Sequence, residues 1–156
     1  MSKVFEDYFS ELQADMVSIC LEYVDNMAEK IYIYCSCEET IISSDFFYCI
    51  GGKVRERHKL NDGNDMNKNN KYIYDTSPKR QDMVLDILIE DIKKIMTLCK
   101  EYNREMPTEI KLVYDVQKNS LKAEYKYDLV YYNDSVKTAD DIAIEWFEKI
   151  RLENSK

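Results

Sequence analysis

Three glycines, two prolines and a single histidine are all that 156 residues contain, and each scarcity closes a route to chemistry. Phosphate-cradling loops need closely spaced glycines, and neither a Walker loop nor GxGxxG is present; a GxSxG nucleophile elbow is missing too. A Cys–His nucleophile pair has only His58 to draw on. No window approaches 18 consecutive apolar residues, and MSKVFEDYFSEL lacks the basic start and unbroken apolar stretch of a secretory signal. A cytosolic protein with no membrane partner is therefore expected. Internal repeats and interdomain linkers are also lacking.

Tyrosine is abundant instead: 13 of them, with 45% hydrophobic and 33% charged residues, describe a folded globular chain. The length suits one domain, residues 1–156, large enough to bury a real core. Five cysteines, an odd number without framework spacing, fit reduced thiols. Net charge is −8. Residues 1–50 hold two lysines against ten acids, while GGKVRERHKL at 51–60 holds four bases against one acid. The acidic third repels nucleic acid and anionic membranes and attracts a basic protein surface.

Apolar residues Phe5, Phe9, Leu12, Met16, Ile19 and Tyr23 step by four and three, which predicts an amphipathic helix over 4–24. Asp7, Glu11, Asp15 and Glu22 fall at helical spacing opposite that stripe; such rows more often simply solvate a helix than bind a partner. From Lys30 to Cys37 the chain alternates, with Ile31, Ile33, Cys35 and Cys37 on one side and Tyr32, Tyr34 and Ser36 on the other. IISSDFFYCI at 41–50 forms a second strand, and the short CEET link makes the pair an antiparallel hairpin that Gly51-Gly52 ends or bends. NDGNDMNKNNK at 61–71 is a surface loop. Ser77-Pro78 starts a long helix to about Arg104, EIKLVYDV and LKAEYKYD make a second hairpin around QKNS, and TADD caps a last helix carrying Ile142, Trp146 and Ile150. The expected fold is α+β in the order α-ββ-α-ββ-α: an antiparallel sheet of four to five strands with helices packed on one face.

Cys35, Cys37, Cys49 and His58 could in principle close a zinc site or supply a thiol nucleophile. Zinc pairs, however, usually leave two or more residues between ligands, and no second pair exists; Cys35 and Cys37 share the isoleucine side, where small buried thiols belong. No cofactor or metal is expected. Tyr32 and Tyr34, with Tyr125 and Tyr127, either line an open sheet face as interface anchors or pack beneath helices.

The combination of EKIYIY at 29–34, FFYCIGGK at 46–53, the run from Asp82 to Asp128 and DDIAIEWFEKIR at 140–151 resembles the YezG-like family of antitoxin or immunity proteins, over roughly residues 1–152. Its most specific piece is the long acidic helix, the Pro-containing turn and a hairpin ending in Glu-Tyr-Lys-Tyr-Asp. The chain departs from the family where Glu105-Met106-Pro107-Thr108 lacks a tryptophan, and in GGKVRERHK and the Asn-rich loop. The resemblance implies a non-enzymatic protein that neutralises secreted nuclease or other polymorphic toxins. Nuclease clefts are basic because they bind phosphate, and Asp7, Glu11, Asp15, Glu22, Glu38, Glu39 and Asp45 would meet such a cleft, with Tyr32 and Tyr34 as anchors. A small metal- or thiol-dependent enzyme is the rival reading, and an adaptor that forms a homodimer through its tyrosine face is the third.

Overall fold

The computed structural model describes residues 4–39, 41–62, 73–130 and 137–154. Helix α1 (Phe5–Tyr23) is followed by strands β1 (Lys30–Glu38), β2 (Ile41–Ile50) and β3 (Lys53–Glu56) and a short 3-10 turn at Arg57–Lys59. Then come α2 (Pro78–Glu101), β4 (Glu109–Asp115), β5 (Ser120–Lys126) and α3 (Ala139–Asn154). The strands form one antiparallel sheet in the order β3-β2-β1-β4-β5. Fold class and element order are those the sequence predicts. Among the described residues no helix is long and apolar enough to cross a membrane.

Local chemistry sets the boundaries. Val4 N–H donates to Asp7 Oδ2 at 3.0 Å at the start of α1, and Glu6 and Asp7 place negative charge at its positive end. Asp25 and Asn26, both at positive φ, stop the helix. Ser77 Oγ accepts from Arg80 N–H at the start of α2, with Pro78 in the first helical position. Thr138 and Asp141 exchange bonds at the start of α3, Thr138 N–H donating to Asp141 Oδ2 at 2.9 Å, so TADD is a capping box with aspartate as its acid.

β3 is a strand where the sequence suggested only a bend. Ile50 pairs with Lys53 across Gly51 and Gly52, whose φ values of 60° and 76° are those of a two-residue hairpin turn. Of the loop predicted at 61–71, only Asn61 and Asp62 are among the described residues. Asn61 clamps the far side: its Oδ1 accepts from Tyr74 N–H at 2.8 Å and its Nδ2 donates to Tyr74 O at 2.9 Å.

The helices occupy both faces of the sheet. α1 and α2 run antiparallel, since Phe5 meets Tyr102 while Tyr23 lies under Arg80. They cover the face of Ile31, Ile33, Cys35, Cys37, Phe46, Tyr48, Ile110 and Leu112. α3 does not join them, as the expectation of helices on one face required. It covers the opposite side, where Ala139, Ile142, Ala143, Trp146 and Phe147 pack on Tyr32, Tyr34, Phe47, Cys49 and Val54. Trp146 sits edge-on to Tyr32 and Phe47, with ring centres 5.9 and 5.1 Å away. The physical reason is that β1 lies in the middle of the sheet and is apolar on both sides, so each side needs a cover.

Candidate interaction surface

Helix α1 carries Glu6, Asp7, Glu11, Asp15 and Glu22 and not one basic residue. Asp7, Glu11, Asp15 and Glu22 are all exposed. Glu6 is held by Arg104, Oε1 to Nη2 2.9 Å, whose guanidinium bond and charge add to its backbone bond in lowering the carboxyl below its usual value. The row flanks α2 rather than pointing wholly away from the protein. Glu11 lines an open groove of about 400 Å³ between the two helices, with Leu12 and Leu98 as apolar lining and Lys93, Lys94 and Glu101 contributed by α2.

Nearby along the same seam, Asp15 meets Asp91 of α2. Asp91 is only 2% exposed, and its Oδ2 has no hydrogen-bond partner. Burial first, then the bond to and charge of Asp15, push the Asp91 carboxyl up to about 7, against a smaller pull from Lys94. A like charge beside a buried carboxyl disfavours its ionised form.

The remaining predicted site residues are corrected by their surroundings. Tyr32 and Tyr34 are 5% and 1% exposed beneath α3, so they are core and not anchors. The tyrosine face proposed for dimerisation is thereby covered, and Tyr125 lies on the other side of the sheet, against Phe9 of α1. Tyr34 Oη donates to Glu109 Oε2 at 3.2 Å, and burial with that carboxylate raises its hydroxyl far above the usual range. Glu38 is fully buried and its Oε1 accepts from Val130 N–H at 2.9 Å. Asp45 is half-buried and ion-paired with Arg57. Burial pushes its carboxyl up, and Arg57 offsets part of that rise. Of the acids placed at the first hairpin, only Glu39 is exposed, at the tip with φ 54°.

The thiol set does not converge. Cys35 and Cys37 face α1 and α2, Cys49 faces α3, and His58 is half-exposed beside Glu56 at 3.3 Å. No group of three or more His, Cys, Asp or Glu among the described residues is placed to hold a metal. All five cysteines are buried and free, and burial raises each thiol, Cys35 to about 12 and Cys49 to about 11. Thiolate chemistry requires the reverse.

Two features had no reading in the sequence. Glu109, 2% exposed, is buried with Tyr34 and neutralised by Lys111 and Lys126 at 3.5 and 3.7 Å. Exposed Tyr8 and Tyr102 sit beside the α1–α2 seam and not on β1. A one-face alternation in β5 hinted at Tyr125, but Tyr8 and Tyr102 required the helix pairing to be known. No protein-family model matches the chain, and no curated protein does.

Proposed function

We propose that this protein is a cytosolic immunity protein that binds and inactivates a toxin domain, a nuclease, by covering its basic active-site region. The observation that carries this reading is α1: five acids without one base, exposed on a helix that is braced by α2 and the sheet. The resemblance to the YezG-like family supports the same conclusion independently. An acidic rigid surface substitutes for the phosphate backbone a nuclease cleft attracts, so exclusion of substrate is the mechanism and no turnover is needed. Long-range attraction speeds encounter, and salt weakens it.

The test uses purified nuclease toxin domains, beginning with any that an adjacent reading frame is found to encode. Equimolar protein is expected to protect nucleic acid from cleavage, with an association rate that falls about tenfold or more from low to high salt. Absence of both binding and protection would refute the proposal.

A further inference from the structure

We propose that a second copy of this chain pairs antiparallel with the open edge of β5, about a two-fold axis at Ala123, so that two five-stranded sheets join into one. β5 is the last strand of the sheet, and among the described residues no strand lies beyond it. Two bonds at the ends of the β1–β4 ladder fix which backbone groups face that edge. Cys37 N–H donates to Thr108 O at 2.9 Å, and Val116 N–H donates to Glu29 O at 3.0 Å. Antiparallel partners exchange such bonds at every second residue. Ile110, Leu112 and Tyr114 therefore turn their backbone to β1, and Glu109, Lys111, Val113 and Asp115 turn theirs to β5, opposite Lys126, Glu124, Lys122 and Ser120. The N–H and C=O groups of Leu121, Ala123 and Tyr125 are left for the open edge. Such a row is a template for another strand.

The side chains select a copy of the same strand. Centred on Ala123, SLKAEYK meets itself with Leu121 opposite Tyr125 and Lys122 opposite Glu124, and the two-fold axis makes each pair occur twice. Leu121 and Tyr125 are 38% and 37% exposed, so pairing covers apolar surface that the single chain leaves open. Tyr125 is already held by Phe9, and its hydroxyl accepts from Gln13 Nε2 at 2.6 Å. Lys122 and Glu124 are exposed on the other side of the strand. They would meet at non-hydrogen-bonded positions, where antiparallel side chains come closest. Glu124 faces Lys111 across the ladder, but that lysine is drawn to Glu109 at 3.5 Å. The two adjacent registers that also match the free backbone groups bring like charges together. One sets Lys122 against Lys122; the other sets Glu124 against Glu124 and Lys122 against Lys126. Repulsion excludes them and leaves the register centred on Ala123. The joined surface is the strand edge and not the covered face of Tyr32 and Tyr34. Pairing of this kind needs no toxin and goes beyond the immunity reading.

Sedimentation equilibrium of the purified protein, carried up to about 1 mM, should show a reversible dimer. Ala123→Pro removes the outward N–H without touching the ladder to β4, and should weaken the dimer about tenfold or more. Lys122→Glu and Glu124→Lys should each weaken it about tenfold. An equimolar mixture of these two variants should dimerise within about threefold of the parent, because every acid then faces a lysine again. Amide exchange at Leu121, Ala123 and Tyr125 should slow as concentration rises, whereas Lys122 and Glu124, bonded to β4, should be slow throughout. Circular dichroism establishes that the variants are folded. A parent that stays monomeric up to about 1 mM overturns the pairing, even where a strand of another protein is then found on β5. A dimer that Ala123→Pro and both charge variants leave unchanged is held by another surface, and overturns it too. So does a mixture of the charge variants that regains nothing.

Discussion

Replacing Asp91 by asparagine should make the protein less sensitive to pH and more stable above neutrality. The carboxyl ordinarily titrates at 3.8 and is pushed up to about 7, first by burial and then by Asp15 and Glu90, against a smaller pull from Lys94. Between those values the native state keeps a proton that the unfolded chain releases, so this group makes stability fall as pH rises from about 4 to about 7 and then level off. At ~1.4 kcal/mol per pH unit the full fall is ~4 kcal/mol. Solvent on the exposed Asp15 side screens it to about 2–4 kcal/mol. Asparagine keeps the shape, cannot ionise, and offers Asp15 a permanent N–H donor. For a chain of this length, the variant's Tm at pH 8 should exceed the parent's by about 5–15 °C, while at pH 4 the two should agree within about 2 °C. Melts followed by far-ultraviolet circular dichroism between pH 4 and 8 measure both curves. Asp15→Asn should keep part of the slope, because burial is the larger cause of the shift. Parallel curves for parent and Asp91→Asn would refute the raised Asp91 carboxyl.

Trp146→Ala removes the ring that caps Tyr32 and Phe47, and should cost about 3–5 kcal/mol in urea unfolding, the usual range for a large aromatic deleted from a core; a loss below 1 kcal/mol would mean α3 is not seated on the sheet. Gly51→Ala should cost about 1 kcal/mol although nothing lies within 4 Å of the added methyl, because the cost comes from φ 60° and not from space. An unchanged unfolding midpoint would show that the turn relaxes freely.

The periodicities carried most of the fold. Four-and-three spacing located α1, the Ser77-Pro78 start and its helical stripe located α2, and TADD with Ile142, Trp146 and Ile150 located α3; alternation located β1, β4 and β5, and β-branched and aromatic composition located β2. β3 was within reach as well: a Gly-Gly pair followed by Lys-Val-Arg-Glu is a two-residue hairpin signal, and not merely an end or bend of β2. The stripe Ile142, Trp146 and Ile150 says that α3 is amphipathic, not which side of the sheet it takes. The better clue was KIYIYCSC, whose two sides are both too apolar for water. The site was less legible because it depends on pairings distant in sequence. Glu38 is covered from Val130, and Asp15 meets Asp91 only once α1 and α2 are aligned.

Those distant pairings also change what the charge distribution means. The acidic first third and the basic stretch after Gly52 are separate in sequence, but the fold joins them. Arg57 neutralises Asp45 across β2, and Arg55 spends its guanidinium on the carbonyls of Leu60 and Asp62 at 2.9 and 2.8 Å. His58 pairs with Glu56, and Glu29 accepts from Gly52 N–H at 3.0 Å. Glu38 is inside. What remains of the N-terminal charge is concentrated on α1, where no base of the helix itself offsets it. A basic partner approaching at a Debye length of about 8 Å would sense that helix before the hairpin tip, whose surface charge is reduced to Glu39. The charge that suggested a partner therefore points to α1, and the apolar groove with its fixed tyrosines lies along the same seam.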